Sequence, residues 1–230
     1  MNDMINFIDV RLFYTKTGSA KYISHLDLMR AMTKAIKRSG LKVWYTEGFN
    51  PHAYIVFPLP LSLGIESESE CVDIRVEDGV SAWEVKERLY PQMPEGLDII
   101  SVEEPFCNAK EIRYGRYVIT LDFENKADAE KFASLSEKLV SEKSLVCEKK
   151  GKKGHKKIMK EVPLGEHIFN FKAEAEDSVL VINVDLSAGN PVNIAPNLLI
   201  GAIEKQSDVI PVYKKFEKKC LLTENFEIFR

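Results

Sequence analysis

The chain has 230 residues and a formal net charge of −3, with 45% hydrophobic and 29% charged residues. These fractions are typical of globular proteins and exclude a disordered or fibrous chain. No apolar run approaches the ~18 residues of a membrane span, and the first residues lack the basic and apolar regions of a signal peptide. We therefore expect a cytoplasmic protein, without a membrane partner, of one large or two small domains.

The first half of the chain predicts alternating strands and helices. A helix should begin after Ser24, since this hydroxyl can cap the helix and Asp27 follows three residues later. Gly40 should end this helix, and a turn at residues 15–19 precedes it. The apolar stripe of the helix comprises Leu28, Met29, Met32, Ala35 and Ile36. A second helix is predicted at 81–90, and strands at 5–13, 42–45, 54–57, 71–76 and 97–102.

The second half repeats this pattern after a polar, unpatterned stretch at 105–116. Helices are predicted at 127–141 and 196–204, and strands at 117–123, near 158–162, 168–173, 179–186 and 209–222. The order βαββαβ is that of the ferredoxin-like unit. The predicted fold class is α+β, with two tandem ferredoxin-like domains at residues 1–104 and 116–230.

One face of the first predicted helix is strongly cationic. Its residues recur at i, i+4, i+7 and i+8, so they project from the side opposite the apolar stripe: Arg30, Lys34, Lys37 and Arg38. The only acidic neighbour is Asp27, beside Arg30. An ordinary solvated helix face has the same pattern, but an uncompensated ridge of cations is suited to phosphate contacts.

Lys21, Tyr22 and His25 lie at the start of the same helix. A helix N-terminus attracts anions, and Lys21 and His25 would add donors there. Tyr22 and His25 are the candidate catalytic residues, since they could activate a ribose hydroxyl and protonate a leaving oxygen. His25 could equally be a hydrogen-bond donor of the cap region.

The loop at residues 47–52 combines a glycine, an aromatic ring, an amide and an imidazole. Phe49 could stack on a base, while Asn50 and His52 could read a base or ribose edge. The same residues also suit an ordinary tight turn.

Seven lysines and one glutamate lie between Glu148 and Lys160, in an otherwise acidic chain. As a mobile loop this segment would clamp phosphates in a salt-sensitive way, and the alternative is a solvated hairpin tip. The candidate RNA contacts in it are Lys149, Lys150, Lys152, Lys153, Lys156 and Lys157.

The sequence has no standard catalytic or metal-binding motif. The cysteines lie far apart, which predicts reduced thiols rather than a zinc or iron–sulfur site: Cys71, Cys107, Cys147 and Cys220. No phosphate-binding loop, dinucleotide fingerprint, nucleophile elbow or HExxH helix is present. We expect no metal or cofactor, and a binding role rather than an enzymatic one.

Several motifs resemble one family closely, the radical-SAM-linked domain family of unknown function. They are the run at residues 22–27, Arg30, Gly40, the run at 47–52, the run at 57–61, Gly64, Ser67, Glu70 and Asp73. The resemblance covers about residues 5–200, and one departure is Ala53, where the family prefers proline.

The resemblance implies work on RNA. In this family the domain stands alone or is fused behind a cobalamin-binding radical SAM enzyme, beside genes for an E/G-type ribonuclease and ribosomal proteins. Since the chain lacks CxxxCxxC, it would be the accessory half of such a system. The domain plan also resembles the CRISPR-associated repeat-processing endoribonucleases, but their glycine-rich C-terminal loop has no counterpart here.

Three functions follow as expectations. The first is an RNA-binding accessory protein, acting on ribosomal or transfer RNA with a radical SAM partner, in which the cationic side chains converge on one surface. The second is an adaptor that docks on a radical SAM enzyme through residues 49–61. The third is a metal-independent endoribonuclease with His25 as its base.

Overall fold

Strands and helices group into two units in the computed structural model, which describes residues 6–153 and 156–230, without the side chains of 149–160. The first unit runs to Glu111 and includes Ile228–Arg230, and the second comprises Ile112–Glu227. The last residues belong with the first unit partly because the Cys107 N–H donates to the Arg230 carbonyl at 2.6 Å. The sequence predicts these residues in the second domain, 116–230.

The first unit contains four strands and two α-helices within its described residues. In chain order these are β1 (Phe7–Lys16), α1 (His25–Ser39), β2 (Ile55–Val56), β3 (Glu66–Glu77), α2 (Ala82–Leu89) and β4 (Ile99–Glu103). The strands pair antiparallel in the order β4-β1-β3-β2.

The core of this unit lies on one face of the sheet. Alternate residues of β1 and β3 are buried there, with side chains from both helices: Val10, Leu12, Tyr14, Val72, Ile74, Val76, Leu28, Met32, Ile36, Val85 and Leu89. Because strand side chains alternate, the intervening residues project from the opposite face. That face, which we call the helix-free face, carries Asp9, Arg11, Asp73 and Arg75.

Helix α1 begins and ends where the sequence predicts. The Ser24 hydroxyl accepts from the Asp27 N–H at 3.1 Å, and Gly40 closes the helix with φ of +70°, a conformation that favours glycine. Leu28, Met32, Ala35 and Ile36 are buried as expected. The periodicity and both end signals are therefore confirmed.

Other predicted strands differ from those observed. Residues 42–45 form only isolated bridges, Val43 with Val76 and Tyr45 with Ala53, because β2 occupies the adjacent edge of β3 at Ile74. β1 continues to Lys16, so the strand includes the first two residues of the turn predicted at 15–19. A short 3-10 helix (Gly18–Tyr22) follows it. β3 begins at Glu66 rather than residue 71, since the serines and glutamates of its first half masked its strand character.

The second unit contains β5 (Tyr114–Asp122), α3 (Lys126–Ser141), β6 (Val146–Lys153), β7 (Lys156–Pro163), β8 (Ile168–Glu176), β9 (Val179–Ser187), α4 (Pro196–Glu204) and β10 (Tyr213–Leu222). Four strands pair antiparallel in the order β10-β5-β9-β8, while β6 and β7 pair with each other as a separate hairpin. Strand β10 starts after Pro211, four residues later than predicted, since proline has no N–H for the ladder.

The chain is an α+β protein with four α-helices in its described residues and antiparallel pairing within each unit. Cys71, Cys107 and Cys147 are buried and Cys220 is half-buried, all as free thiols. Burial raises the pKa of Cys220. In the described part of the chain, the helices are too short or too polar to cross a membrane.

The Ser24→Ala variant tests the cap of α1. Removing the hydroxyl leaves the Asp27 N–H without its acceptor, which should lower the free energy of unfolding by about 1 kcal/mol in urea denaturation. The control Ser24→Thr keeps an oxygen at the same position and should retain most of the stability. Equal losses in the two variants would contradict the capping role.

Candidate nucleic-acid interface

The cationic face of α1 is exposed to solvent along its length. Burial of the apolar stripe against the sheet turns the opposite side outward, and the four predicted cations all lie on it: Arg30, Lys34, Lys37 and Arg38. Since the stripe and the cations alternate at helical spacing, burial of one face forces exposure of the other. We call these four residues the α1 ridge.

The four cations differ in their partners. Arg30 Nη1 lies 3.2 Å from Asp27 Oδ1, and both side chains are more than half exposed. Arg38 donates to the carbonyl of Gln92 at 2.6 Å and to its side-chain Oε1 at 3.2 Å. Among the described residues, Lys34 and Lys37 have no ion-pair or hydrogen-bond partner. The middle of the ridge therefore offers two uncompensated charges.

Asp27 belongs to the cap more than to the ridge. The Ser24 hydroxyl donates to its Oδ2 at 2.7 Å, and this hydrogen bond, with the cation of Arg30, lowers the pKa of Asp27. Asp27 therefore stays ionised near neutral pH and neutralises only the first cation of the ridge.

Lys21 is held by a carboxylate rather than projecting freely. Its Nζ lies 2.9 Å from Glu66 Oε1, and both side chains are largely buried. The Gly64 N–H donates to the Lys21 carbonyl at 2.9 Å, which brings the chain before β3 against the start of α1. The sequence suggested an anion-binding donor here, but the tertiary contact gives this cation an internal partner.

His25 and Tyr22 are exposed at the start of α1. The His25 ring meets Phe57 edge-on at 5.1 Å, and the Tyr22 side chain is 70% exposed. Within the described residues, His25 makes no hydrogen bond. The catalytic roles of Tyr22 and His25 stay a prediction.

The predicted loop forms a turn between Tyr45 and Ala53. The Thr46 N–H donates to the His52 carbonyl at 2.8 Å, and His52 Nδ1 lies 3.0 Å from the Thr46 hydroxyl. Gly48 has φ of +130°, which an L side chain rarely adopts. Phe49 at the tip is fully exposed, and Asn50 and His52 are also exposed.

These predicted residues form separate groups within the first unit. Lys21 and His25 pack against the chain at 57–66, while the α1 ridge faces away from the sheet. Within the described residues, no hydrogen bond or ion pair joins the ridge to Phe49, Asn50 or His52.

The lysine segment lies in the β6–β7 hairpin of the second unit. Its backbone is strand on both sides, where the sequence predicted a loop as one possibility and a hairpin as the other. The register sets Lys149 opposite Lys160, Lys152 opposite Lys157 and Lys153 opposite Lys156. The side chains of Lys149, Lys150, Lys152, Lys153, Lys156 and Lys157 lie outside the described residues, so their contacts stay a prediction.

A charged network on the helix-free face was not predicted from the sequence. Arg11 donates to both oxygens of Asp73 at 2.7 and 2.8 Å, and Arg75 donates to both oxygens of Asp9 at 2.7 and 3.2 Å. The register explains the pairing, since Arg11 stands opposite Asp73 and Asp9 opposite Arg75. The signal was the alternation of opposite charges in two apolar strands, residues 8–12 and 72–76.

Arg11 is the buried member of this network, with 1% of its side chain exposed. Its third contact runs from Nη1 to the Cys107 carbonyl at 3.0 Å, and the Phe229 ring lies 4.5 Å from its guanidinium carbon. Burial alone would lower the pKa of Arg11, but the hydrogen bonds and charge of Asp73 outweigh it and raise the pKa. Arg11 therefore remains a cation inside the unit.

The described residues hold no cluster of three or more histidine, cysteine or acidic side chains that could bind a metal ion. The geometry thus offers a cationic helix face, an exposed aromatic turn and a charged sheet face.

The chain belongs to the family described as "Uncharacterized protein conserved in bacteria (DUF2344)", whose profile matches residues 10–196. No curated protein matches the chain. A solved structure of an unknown protein from Galdieria sulphuraria is similar over 93% of this chain and 99% of that chain, at 11% identity and a TM-score of 0.26. A TM-score this low does not establish a shared fold. The family assignment rests on the profile match.

The Asp73→Ala variant tests the buried ion pair. The variant leaves the buried Arg11 cation without its carboxylate partner. It should lower the free energy of unfolding by about 3 kcal/mol in urea denaturation. The matched control Asp9→Ala removes the partner of Arg75, whose pair is partly exposed, and should cost less than about 1 kcal/mol. Equal losses of stability in the two variants would show that the burial of Arg11 does not determine how much the ion pair contributes.

Proposed function

We propose that this protein is an RNA-binding accessory protein that acts in the cytoplasm on ribosomal or transfer RNA. The observation that carries the proposal is the exposed α1 ridge, in which Lys34 and Lys37 have no partner among the described residues. A chain with a net charge of −3 that concentrates cations on one helix face is suited to local phosphate contacts.

The exposed turn supplies a second kind of contact. Phe49 is fully exposed at its tip, and large aromatic side chains on the surface of RNA-binding proteins stack on unpaired bases. Asn50 and His52 beside it carry donors and acceptors for base or ribose edges. This turn would bind single-stranded rather than double-helical RNA.

We further propose that both units are ferredoxin-like. The strand order β4-β1-β3-β2 in the first unit and β10-β5-β9-β8 in the second support this, since both have the arrangement 4-1-3-2 of a βαββαβ unit. The β6–β7 hairpin would then be an insertion between the first helix and second strand of the second unit. A radical SAM protein is the proposed partner, because of the motif resemblance described above.

Neutralising the ridge tests the proposal. The triple variant Arg30→Gln, Lys34→Gln and Lys37→Gln should bind single-stranded RNA more weakly and with less dependence on salt. Each lost phosphate contact reduces the slope of log K against log[salt] by about 0.7. A filter-binding titration over several salt concentrations measures both quantities.

A matched control removes the same charge from another helix. Lys126, Lys131 and Lys138 lie on α3, and replacing all three with glutamine should leave the salt slope at the wild-type value. Equal effects of the two triple variants would mean that net charge alone governs binding. Salt-independent or absent RNA binding by the wild type would refute the proposal.

A protein–protein adaptor is the second candidate, favoured by an exposed apolar cluster. Tyr22, Leu26 and Leu63 are 70%, 58% and 61% exposed, on two segments joined by the hydrogen bond from Gly64 to Lys21. Exposed apolar groups of this kind mark interaction sites when they lie together. The cluster lies next to the His25–Phe57 contact, at one end of the 49–61 segment predicted as the interface.

Co-purification with the cobalamin-type radical SAM protein of the same genome tests the adaptor. After nuclease treatment, the wild type should retain that protein and the double variant Leu26→Ser, Leu63→Ser should lose it. The control Trp83→Ser removes a 71% exposed aromatic from α2 and should retain it. Failure of the wild type to retain the enzyme would remove this candidate.

A further inference from the structure

Strand β8 (Ile168–Glu176) is an open edge of the sheet in the second unit. In the order β10-β5-β9-β8 it pairs with β9 on one side only. Among the residues that the structure describes, no backbone hydrogen bond outside the β9 ladder involves residues 168–176. Because a strand directs its N–H and C=O groups alternately to its two edges, the outward groups of β8 are available to a further strand.

The edge strand β4 of the first unit is covered in a way that β8 is not. Lys86 of α2 donates to the Ile100 carbonyl of β4 at 2.7 Å, so a side chain occupies an acceptor of that strand. Within the described residues, the backbone of β8 receives no side-chain hydrogen bond of this kind. β8 is therefore the more accessible of these two edges.

The charged side chains of β8 all lie on one face of the sheet. The register sets Ala173 opposite Ile182, which is fully buried, so Ala173 faces the core of the unit. Lys172 and Glu174 flank Ala173 and project from the other face. Their Nζ and Oε1 atoms lie 2.7 Å apart, and the side chains are 67% and 60% exposed. The edge thus presents one cation and one anion side by side.

A second copy of the strand matches this edge in one antiparallel register. Paired residues of an antiparallel sheet share a face, so a two-fold axis that relates two β8 strands passes through one residue. With the axis at Ala173, Lys172 of each copy stands opposite Glu174 of the other. An axis at Lys172, Glu174 or Ala175 would set like charges opposite each other, which is unfavourable. An axis nearer Phe169 would meet the bulge between Phe169 and Lys172, which disrupts the ladder.

We propose that two copies of this protein associate edge to edge through β8, so that their sheets continue into one antiparallel sheet. Each Lys172 then lies between Glu174 of its own chain and Glu174 of the second copy, and the four charges alternate around the axis. Charges on an edge strand often keep other chains away, and charges of a single sign would repel a second copy. The opposite charges of β8 instead attract it. This inference does not depend on RNA binding.

The proposed contact is small. The bulge ends the regular ladder on one side of the axis, so residues 171–175 of each copy pair. Permanent dimers bury far larger surfaces than one short strand provides. The association should therefore be reversible and should depend on protein concentration.

Sedimentation velocity of the full chain, freed of nucleic acid by nuclease treatment, tests the proposal. As the concentration rises to several hundred micromolar, the wild type should shift from the mass of one chain to that of two. Lys172→Glu and Glu174→Lys each set like charges opposite each other across the axis. Each variant should therefore raise the dissociation constant of the dimer by about tenfold or more.

A mixture of the two variants separates contact between chains from contact within one chain. Across a mixed pair, every charge of one variant again stands opposite a charge of the other sign. The equimolar mixture should therefore recover the two-chain species that each variant alone has lost. A role of Lys172 and Glu174 within a single chain could not produce this recovery.

Arg88→Glu is the matched control, because it changes the net charge as Lys172→Glu does and reverses one partner of a surface ion pair on α2, with Glu84. This variant should sediment as the wild type does. The double variant Lys172→Glu, Glu174→Lys restores opposite charges across the axis and should also form the dimer. Unchanged thermal unfolding of each variant establishes that the fold is intact.

Three results would overturn the proposal. The first is a wild type that keeps the mass of one chain at every concentration, which would leave the edge to another protein or to none. The second is a wild-type dimer that both charge reversals leave unchanged, since it would form through another surface. The third is a mixture of the two variants that stays monomeric.

Discussion

The first unit depends on the ion pair between Arg11 and Asp73. A guanidinium with 1% exposure would be costly without a partner, and Asp73 supplies two hydrogen bonds in the parallel geometry that arginine and carboxylate favour. The pair joins residues that stand opposite each other in the register of β1 and β3, while Arg11 Nη1 donates to the Cys107 carbonyl. This contact holds the segment around Cys107 against the helix-free face.

The second unit contains the same kind of arginine–aspartate ion pair, on its own first and third sheet strands, β5 and β9. Arg116 of β5 donates to both oxygens of Asp185 on β9, at 2.8 and 3.0 Å, and the two residues stand opposite each other in the register. Here the carboxylate is the buried partner, at 2% exposure, and Asn170 donates to it at 2.8 Å. In both units an arginine on the first strand therefore pairs with an aspartate on the third. The arginine is the buried partner in the first unit, and the aspartate is the buried partner in the second.

Local signals predicted much of the helical structure. Ser24 and Gly40 fix the two ends of α1, whereas the Ser81 cap and Pro196 fix only the starts of α2 and α4. These signals involve only neighbouring residues, so the sequence shows them. The strands were less predictable, since pairing depends on distant partners. The charge alternation in residues 8–12 and 72–76 was visible, but the register that pairs these charges is set across the sheet. For the same reason the sequence could not reveal that Glu66 neutralises Lys21.

The distribution of charge links the fold to the proposed function. Burying the apolar stripe of α1 leaves its cations facing solvent, where Lys34 and Lys37 have no partner among the described residues. On the helix-free face, Arg11 and Arg75 are instead each paired with an aspartate. A phosphate therefore binds more favourably at the unpaired cations of α1 than at the paired charges of the helix-free face. Helix periodicity and sheet alternation thus place the unpaired and the paired cations on two faces of one small unit.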